Sequence, residues 1–259
     1  MNHDIASMLQ LHDWYIERAA REQCKDRKHD LIVTAVEWLK RAGDHDHVDS
    51  LFKLGRLYEY GTHVGKDESR AIEYYERAAE RKHIESCKVL GRFYNVRMDG
   101  ENMLRVLMVV IDEDAKDTWA AKTIAREYER GRSLPRDLDR AIHFYNVASK
   151  RGDQDAILRI ATIYWDQNMI EEALGIARDL SRMGQNSSAP FWLSKRYKAL
   201  GDEAEALAQL KLAVERGHME ARRDYGHKLF YDKVDEHSSS DSAYDILIKL
   251  IGTEYEKDV

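Results

Sequence analysis

The sequence predicts an all-α protein: a right-handed α-solenoid of about seven stacked antiparallel helix hairpins. Three observations carry that expectation. A small residue, Leu or Ile four on, Gly or Ala five on and Tyr eight on return along the chain, with successive starts 36, 34, 36, 33 and 32 residues apart. Between these segments a second pattern places apolar residues at 0, 3, 4 and 7, the spacing of one helical face. Only two prolines interrupt 259 residues, as a mostly helical chain requires.

The first pattern marks helix A of each hairpin. It reads Ser50/Leu54/Gly55/Tyr58, Ser86/Leu90/Gly91/Tyr94 and Ala120/Ile124/Ala125/Tyr128. It continues as Ala156/Ile160/Ala161/Tyr164 and Ala189/Leu193/Ser194/Tyr197, and degrades to Ala221/Tyr225/Gly226/Leu229. The second pattern marks helix B: Ala35/Trp38/Leu39/Ala42, Ala71/Tyr74/Tyr75/Ala78, Leu104/Leu107/Met108/Ile111 and Ala141/Phe144/Tyr145/Ala148. Further on it reads Ala173/Ile176/Ala177/Leu180, Ala206/Gln209/Leu210/Ala213 and Ala243/Ile246/Leu247/Leu250. Alanine suits the close crossing of two helices, and the larger side chains fill the space between layers.

Turn chemistry agrees. Gly152, Gly184 and Gly217 follow B helices, where a C-terminal stop is expected. Asp67 and Asp137 precede B helices, as caps or first-turn residues should. Ser238–Asp241 reads as the turn and cap of a C-terminal capping helix over 232–259. At the other end, Trp14–Glu22 resembles the B-type segment Glu73–Arg81, while Ser7/Leu11/Tyr15 fits the A pattern. Residues 5–22 are assigned as the A helix of an atypical first hairpin spanning 1–47, and 1–259 is read as one solenoid domain.

Composition bounds the function. The chain is 34% charged with a net charge of −6 and a mean hydropathy of −0.65. That argues against generalised nucleic-acid binding, though not against a local basic patch. Cys24 and Cys87 form no metal or redox spacing, and Cys87 falls where a packed thiol is expected. The N-terminus lacks the apolar stretch of a signal peptide, and the longest apolar run, Val106–Ile111, is far short of the roughly 18–20 residues of a membrane span. The expected location is the cytoplasm, or the periplasm or exterior if a leader has been removed.

Residues Leu54–Arg81, LGRLYEYGTHVGKDESRAIEYYERAAER, resemble a Sel-one-like repeat, a relative of the tetratricopeptide repeat. The residues that carry the likeness are Ser50, Leu54, Gly55, Tyr58, Gly61, Val64, Asp67, Arg70–Ala71, Tyr74–Tyr75 and Ala78–Ala79. The pattern is strong again over Ala120–Gly152 and looser elsewhere. The gap from the helix A tyrosine to the helix B alanine is 13 residues in these two repeats and shrinks to 9 after Tyr164 and Tyr197, which is tetratricopeptide-like. The resemblance implies an adaptor or scaffold that binds other proteins.

No catalytic constellation is evident. Gly61–Asp67 has three residues between its glycines, and Asp after the lysine where a phosphate loop needs Ser or Thr. Neither GxSxG nor HExxH occurs. Asp44–His47, with Asp49 close by, reads as a solvated turn rather than a metal site, because no distant ligand set accompanies it. The strip Tyr58, Tyr94, Tyr128, Tyr164, Tyr197 reads as packing between repeats. No cofactor and no enzymatic activity are expected.

In tetratricopeptide-like solenoids the A helices line the concave surface. Counting the small residue as zero, position six gives Arg56, Arg92, Arg126, Thr162, Lys195 and His227. Positions two and three add Lys53, Lys88, Lys122, Arg159 and Arg223. This is a basic ladder in an acidic protein, suited to carboxylates, which arginine holds through two parallel hydrogen bonds. The competing reading is solvated surface charge, with Arg56 paired to Glu59 and Arg126 to Glu129 along their own helices.

The favoured function is therefore a scaffold whose groove receives an acidic segment or surface of another protein; a bacterial adaptor and a cytoplasmic immunity protein that neutralises a toxin both fit. RNA binding is the alternative from another class, since helical repeats can read one base per repeat. The interleaved Glu59, Glu85, Asp155 and Glu220 weigh against it.

Overall fold

A computed structural model describes residues 4–184 and 186–235. Among them lie thirteen α-helices and no strand. They are α1 (Ile5–Arg21), α2 (Lys25–Asp44), α3 (Val48–Tyr60), α4 (Glu68–Glu80), α5 (Ile84–Val96), α6 (Gly100–Glu113) and α7 (Trp119–Arg130). Then follow α8 (Leu138–Lys150), α9 (Gln154–Asp166), α10 (Ile170–Arg182), α11 (Ser188–Ala199), α12 (Glu203–Glu215) and α13 (Met219–Asp235). The chain divides into two compact units, Met1–Ala141 and Ile142–Val259, with the boundary inside α8.

In the first unit α1 packs on α2, α3 on α4 and α5 on α6, and each hairpin continues onto the next through α2–α3, α4–α5 and α6–α7. In the second unit α9 packs on α10 and α11 on α12, continued by α10–α11 and α12–α13. The expected A helix over 5–22 is α1. The Ser238–Asp241 turn and the capping helix expected over 232–259 lie outside the described residues from 236 onward, while 232–235 belong to α13.

Both spacing patterns become buried faces. Ser50, Leu54, Gly55 and Tyr58 are buried on α3, as are Ala120, Ile124, Ala125 and Tyr128 on α7. On the facing helix of the α3–α4 hairpin, Ala71, Tyr75 and Ala78 are buried while Tyr74 is half-buried. A Cβ added to Gly55 would lie 2.5 Å from Tyr75 Cε1, so glycine here lets the helix seat against the ring. The Tyr75 hydroxyl donates to Glu59 Oε2 at 2.6 Å, which gives a buried phenol the acceptor it needs.

One register differs from expectation. On α6 the buried face centres on Met103, Val106, Leu107 and Val110, one residue earlier than the Leu104/Leu107/Met108/Ile111 reading; Leu107 and Ile111 of that reading are buried, and Leu104 and Met108 are half-buried. Position zero is methionine here, so no alanine marks it. The cap does: Asp99 stands four residues before Met103, as Asp67 stands before Ala71 and Asp202 before Ala206.

The helix starts share one device. Three residues before each small residue of the A pattern, a side chain accepts that residue's backbone N–H. His47 Nδ1 takes Ser50 at 3.3 Å, His83 Nδ1 takes Ser86 at 3.2 Å, and Asp117 Oδ1 takes Ala120 at 2.8 Å. Asp153, Asn186 and His218 do the same for Ala156, Ala189 and Ala221 at 3.0, 2.6 and 3.2 Å. Such bonds satisfy amide groups that a helix cannot pair internally. As expected, Asp67 and Asp137 cap B helices, accepting from Arg70 N at 3.0 Å and Arg140 N at 2.9 Å. Gly152, Gly184 and Gly217 are indeed turn residues, each with positive φ.

Candidate functional site

Position six of α3, α5 and α7 faces outward, because positions four and five of the same helix are buried. Arg56 on α3, Arg92 on α5 and Arg126 on α7 are all exposed. Among the described residues none of the three makes an ion pair. The Arg56 guanidinium lies 5.7 Å from the centre of the Tyr60 ring, and that of Arg92 5.9 Å from the Trp119 ring. The pairing of Arg56 with Glu59 that the competing reading supposed is not formed, and Glu59 accepts from the Tyr75 hydroxyl.

Lys53 is exposed and stands beside Arg56 in a cleft of about 350 Å³ between the first hairpin and α3. Lys88 is different: it is engaged within the protein rather than presented. Its ammonium lies 2.9 Å from Asp117 and 3.7 Å from Asp114, tying α5 to the turn ahead of α7. The hydrogen bond to Asp117 holds the Lys88 ammonium above the ordinary lysine range. Lys122 and Arg159 are also partnered within the protein.

In the second unit Thr162 breaks the series. It is half-buried, donates to Leu158 O at 2.8 Å and accepts from Trp192 Nε1 at 3.1 Å. Lys195 and His227 are exposed and share a cleft of about 510 Å³ with Lys198, Arg223 and Asp224, floored by Leu207 and Leu210. Lys195 and Arg223 converge on Asp224 at 2.7 and 3.7 Å. Burial pushes the Asp224 carboxyl up, but these two cations hold it below the usual carboxylate range.

The other candidates resolve into structural roles. In Asp44–His47, His47 caps α3, while Asp46, at φ 58°, accepts from Arg77 at 3.3 Å and from Arg81. Among the described residues no cluster of His, Cys, Asp and Glu is arranged to hold a metal ion. Gly61–Asp67 forms the α3–α4 loop, opened by Gly61 in the left-handed region. Cys87 is buried, and burial pushes its thiol up to about 11. Among the described residues no helix is long and apolar enough to cross a membrane.

Two exposed apolar side chains escaped the sequence patterns. Tyr60 and Val96 occupy position ten of α3 and α5, 63% and 84% exposed, where α7 carries Arg130. Their shared offset from Ser50 and Ser86 was the available signal.

This architecture, helical hairpins repeating at the spacing of the sequence pattern, is that of an all-α solenoid repeat protein. The family profile described as Sel1 repeat matches residues 27–47, 48–83 and 124–153. The matches fall on α2, on the α3–α4 hairpin and on most of α7–α8, so these segments carry the Sel1 repeat pattern. Among solved structures, it resembles a protective antigen of uropathogenic Escherichia coli with an SLR fold (TM-score 0.60, 20% identity) over 96% of this chain and 52% of the antigen. It thus spans about half the length of that protein, and the likeness is one of fold. A Sel1 repeat protein from Oxalobacter formigenes aligns at 23% identity and TM-score 0.47, over 82% of this chain and 88% of that one. No curated protein matches the sequence significantly. Repeat folds of this type generally serve as protein-interaction scaffolds.

Proposed function

We propose that the first unit is a docking module that binds an acidic segment or surface of a partner protein along Arg56, Arg92 and Arg126. One observation carries the reading. Three guanidinium groups recur at the same position of successive A helices, all exposed and, among the described residues, none ion-paired, on a chain of net charge −6. Lys53 adds to this surface, and His227 lines a second cleft in the other unit. Lys88, Lys122, Arg159, Lys195 and Arg223 already have partners in the protein and are better read as supporting the fold. The scaffold reading places the chain among binding proteins rather than enzymes.

Pull-down from the native host with mass spectrometry identifies the partner, and a double Arg92→Ala/Arg126→Ala variant tests the surface. A hydrogen bond to a charged group contributes about 1.5–3 kcal/mol, so the variant binds at least about tenfold more weakly with unchanged helicity. Affinity also falls with salt, since screening shortens to about 10 Å at 0.1 M. A variant that binds as tightly as the parent overturns the proposal.

A further inference from the structure

Arginine explains attraction to acid but not selectivity, and the surface around Arg56 and Arg92 is not merely basic. Two clefts open on either side of Tyr60. The first, of about 350 Å³, is walled by Ile16, Val36, Leu39 and Leu57 and carries Lys53 and Arg56. The second, of about 400 Å³, is walled by Val89, Phe93 and Val96 and carries Arg92. Tyr60 lines both, so one exposed ring divides two apolar recesses, each with a cation at its edge.

The charges around these recesses are not balanced. Of the two carboxylates of the second cleft, Glu68 is paired with Arg97 at 2.5 Å, and Glu59, which accepts from the Tyr75 hydroxyl at 2.6 Å, is a single negative charge against the three cations Lys53, Arg56 and Arg92. Lys53, Arg56 and Arg92 make no ion pair among the described residues. An occupant that fills the recesses with apolar groups and brings carboxylates to the three cations answers both features of this surface. A purely acidic chain leaves the recesses open, and a purely apolar one leaves the cations unanswered.

The conformation of the occupant sets its repeat. An extended chain in the polyproline II form advances about 3.1 Å per residue and returns its side chains to one face every third residue. Like side chains three residues apart therefore lie along one surface.

We propose that the partner segment is extended and amphipathic, with an apolar side chain and a carboxylate recurring about every third residue. Its apolar side chains enter the recesses on either side of Tyr60, and its carboxylates meet Arg56 and Arg92. This inference rests on the acidic-partner reading and adds the apolar half of the recognition.

The test uses fluorescent peptides of about twelve residues, long enough to cross both recesses. They are repeats of Leu-Ser-Asp, Ser-Ser-Asp and Leu-Ser-Lys, titrated by anisotropy against the full chain, against Tyr60→Ser and against Arg56→Ala/Arg92→Ala. Tyr60 is exposed, so the substitution leaves the helices intact, which circular dichroism verifies. Leu-Ser-Asp should bind at least about tenfold more tightly than Ser-Ser-Asp, with Tyr60→Ser removing most of that margin and the double variant weakening both. Equal binding of the two acidic peptides, or a margin that survives Tyr60→Ser, overturns the apolar half and leaves the acidic reading standing. Leu-Ser-Lys binding as well as Leu-Ser-Asp overturns the acidic reading itself.

Discussion

The α3–α4 hairpin and the α11–α12 hairpin solve one problem with loops of different length. In the first, seven residues, Gly61–Asp67, join the helices; in the second, Leu200–Asp202 suffice. Yet the same bond closes both: the B-helix cap donates its N–H to the carbonyl of the A-helix tyrosine, Asp67 to Tyr58 at 2.9 Å and Asp202 to Tyr197 at 3.0 Å. The bond recurs from Asp99 to Tyr94, Asp137 to Tyr128 and Met169 to Tyr164. Added loop length is thus absorbed outside the helix pair. What changes is the tyrosine hydroxyl. In the long-loop hairpins it accepts from an arginine of its own B helix, Arg70 at 3.5 Å and Arg140 at 3.0 Å. In two of the short-loop hairpins, α5–α6 and α11–α12, it reaches back to the preceding hairpin, Tyr197 accepting from Arg178 at 2.7 Å and Tyr94 donating to Glu76 at 2.5 Å. The long loops thus come with a partner from their own hairpin, while Tyr94 and Tyr197 tie their hairpins to the ones before.

The largest effect that separates the two designs is in the core. Tyr75 is fully buried in the long-loop hairpin, and Leu107 holds the same position in the short-loop α5–α6 hairpin. Tyr75→Ala should cost about 3–5 kcal/mol and Leu107→Ala about 2–5, read by urea unfolding followed by circular dichroism. Tyr75→Ala costing less than about 1 kcal/mol, the scale of a surface change, would mean the long-loop core does not depend on its ring.

The loops provide the next test. Gly61 sits at φ 71°, and an added Cβ would stand 3.1 Å from Lys66 Cβ. Gly61→Ala should cost about 1–2 kcal/mol, the left-handed penalty for an ordinary residue. Its counterpart in the short loop, Arg97, has φ −81°, so Arg97→Ala carries no backbone penalty and loses only the half-exposed pair with Glu68, about 1 kcal/mol at most. Equal costs would erase the distinction between the loops.

Much of this was readable before any coordinates. Helical spacing alone identifies both faces of α3, α4, α7 and α8, because alanine and tyrosine recur where helices cross. The α6 register was not readable from apolar spacing, since Leu104–Ile111 offers apolar residues on several faces at once. The histidine caps were hidden because His47 and His83 are unusual cap residues, although Asp117 and Asp153 at the same offset announced the position. The exposure of Arg56, Arg92 and Arg126 follows from register. The loss of Lys88 to Asp117 does not, because that contact joins segments about 30 residues apart in sequence and depends on how the hairpins stack.

A smaller difference lies in the hydroxyls. Tyr197→Phe removes a 2.7 Å bond from Arg178 and should cost about 1 kcal/mol, whereas Tyr58→Phe loses only a 3.5 Å contact and should cost less than half that. Thermal unfolding of the two variants side by side decides it. A Tyr58→Phe cost as large as that of Tyr197→Phe would show that the long-loop arginine binds as firmly as the backward-reaching one.

The smallest effect appears only in alkali. Burial, and then the hydrogen bond to Glu76, push the Tyr94 phenol up to about 12 from its ordinary value near 10. A phenol whose value rises on folding keeps its proton in the folded state while the unfolded chain loses one. The stabilisation is fully present below pH 10 and is lost as pH climbs toward 12. Tyr94→Phe should be mild at pH 8, because Glu76 keeps Arg105 at 2.8 and 2.9 Å. Between pH 10 and 12 the parent should lose stability faster than Tyr94→Phe, so the gap between them narrows. Parallel stability curves across that interval would show that the backward hydroxyl bond does not couple Tyr94 ionisation to folding, and that packing alone joins α5 to the hairpin before it.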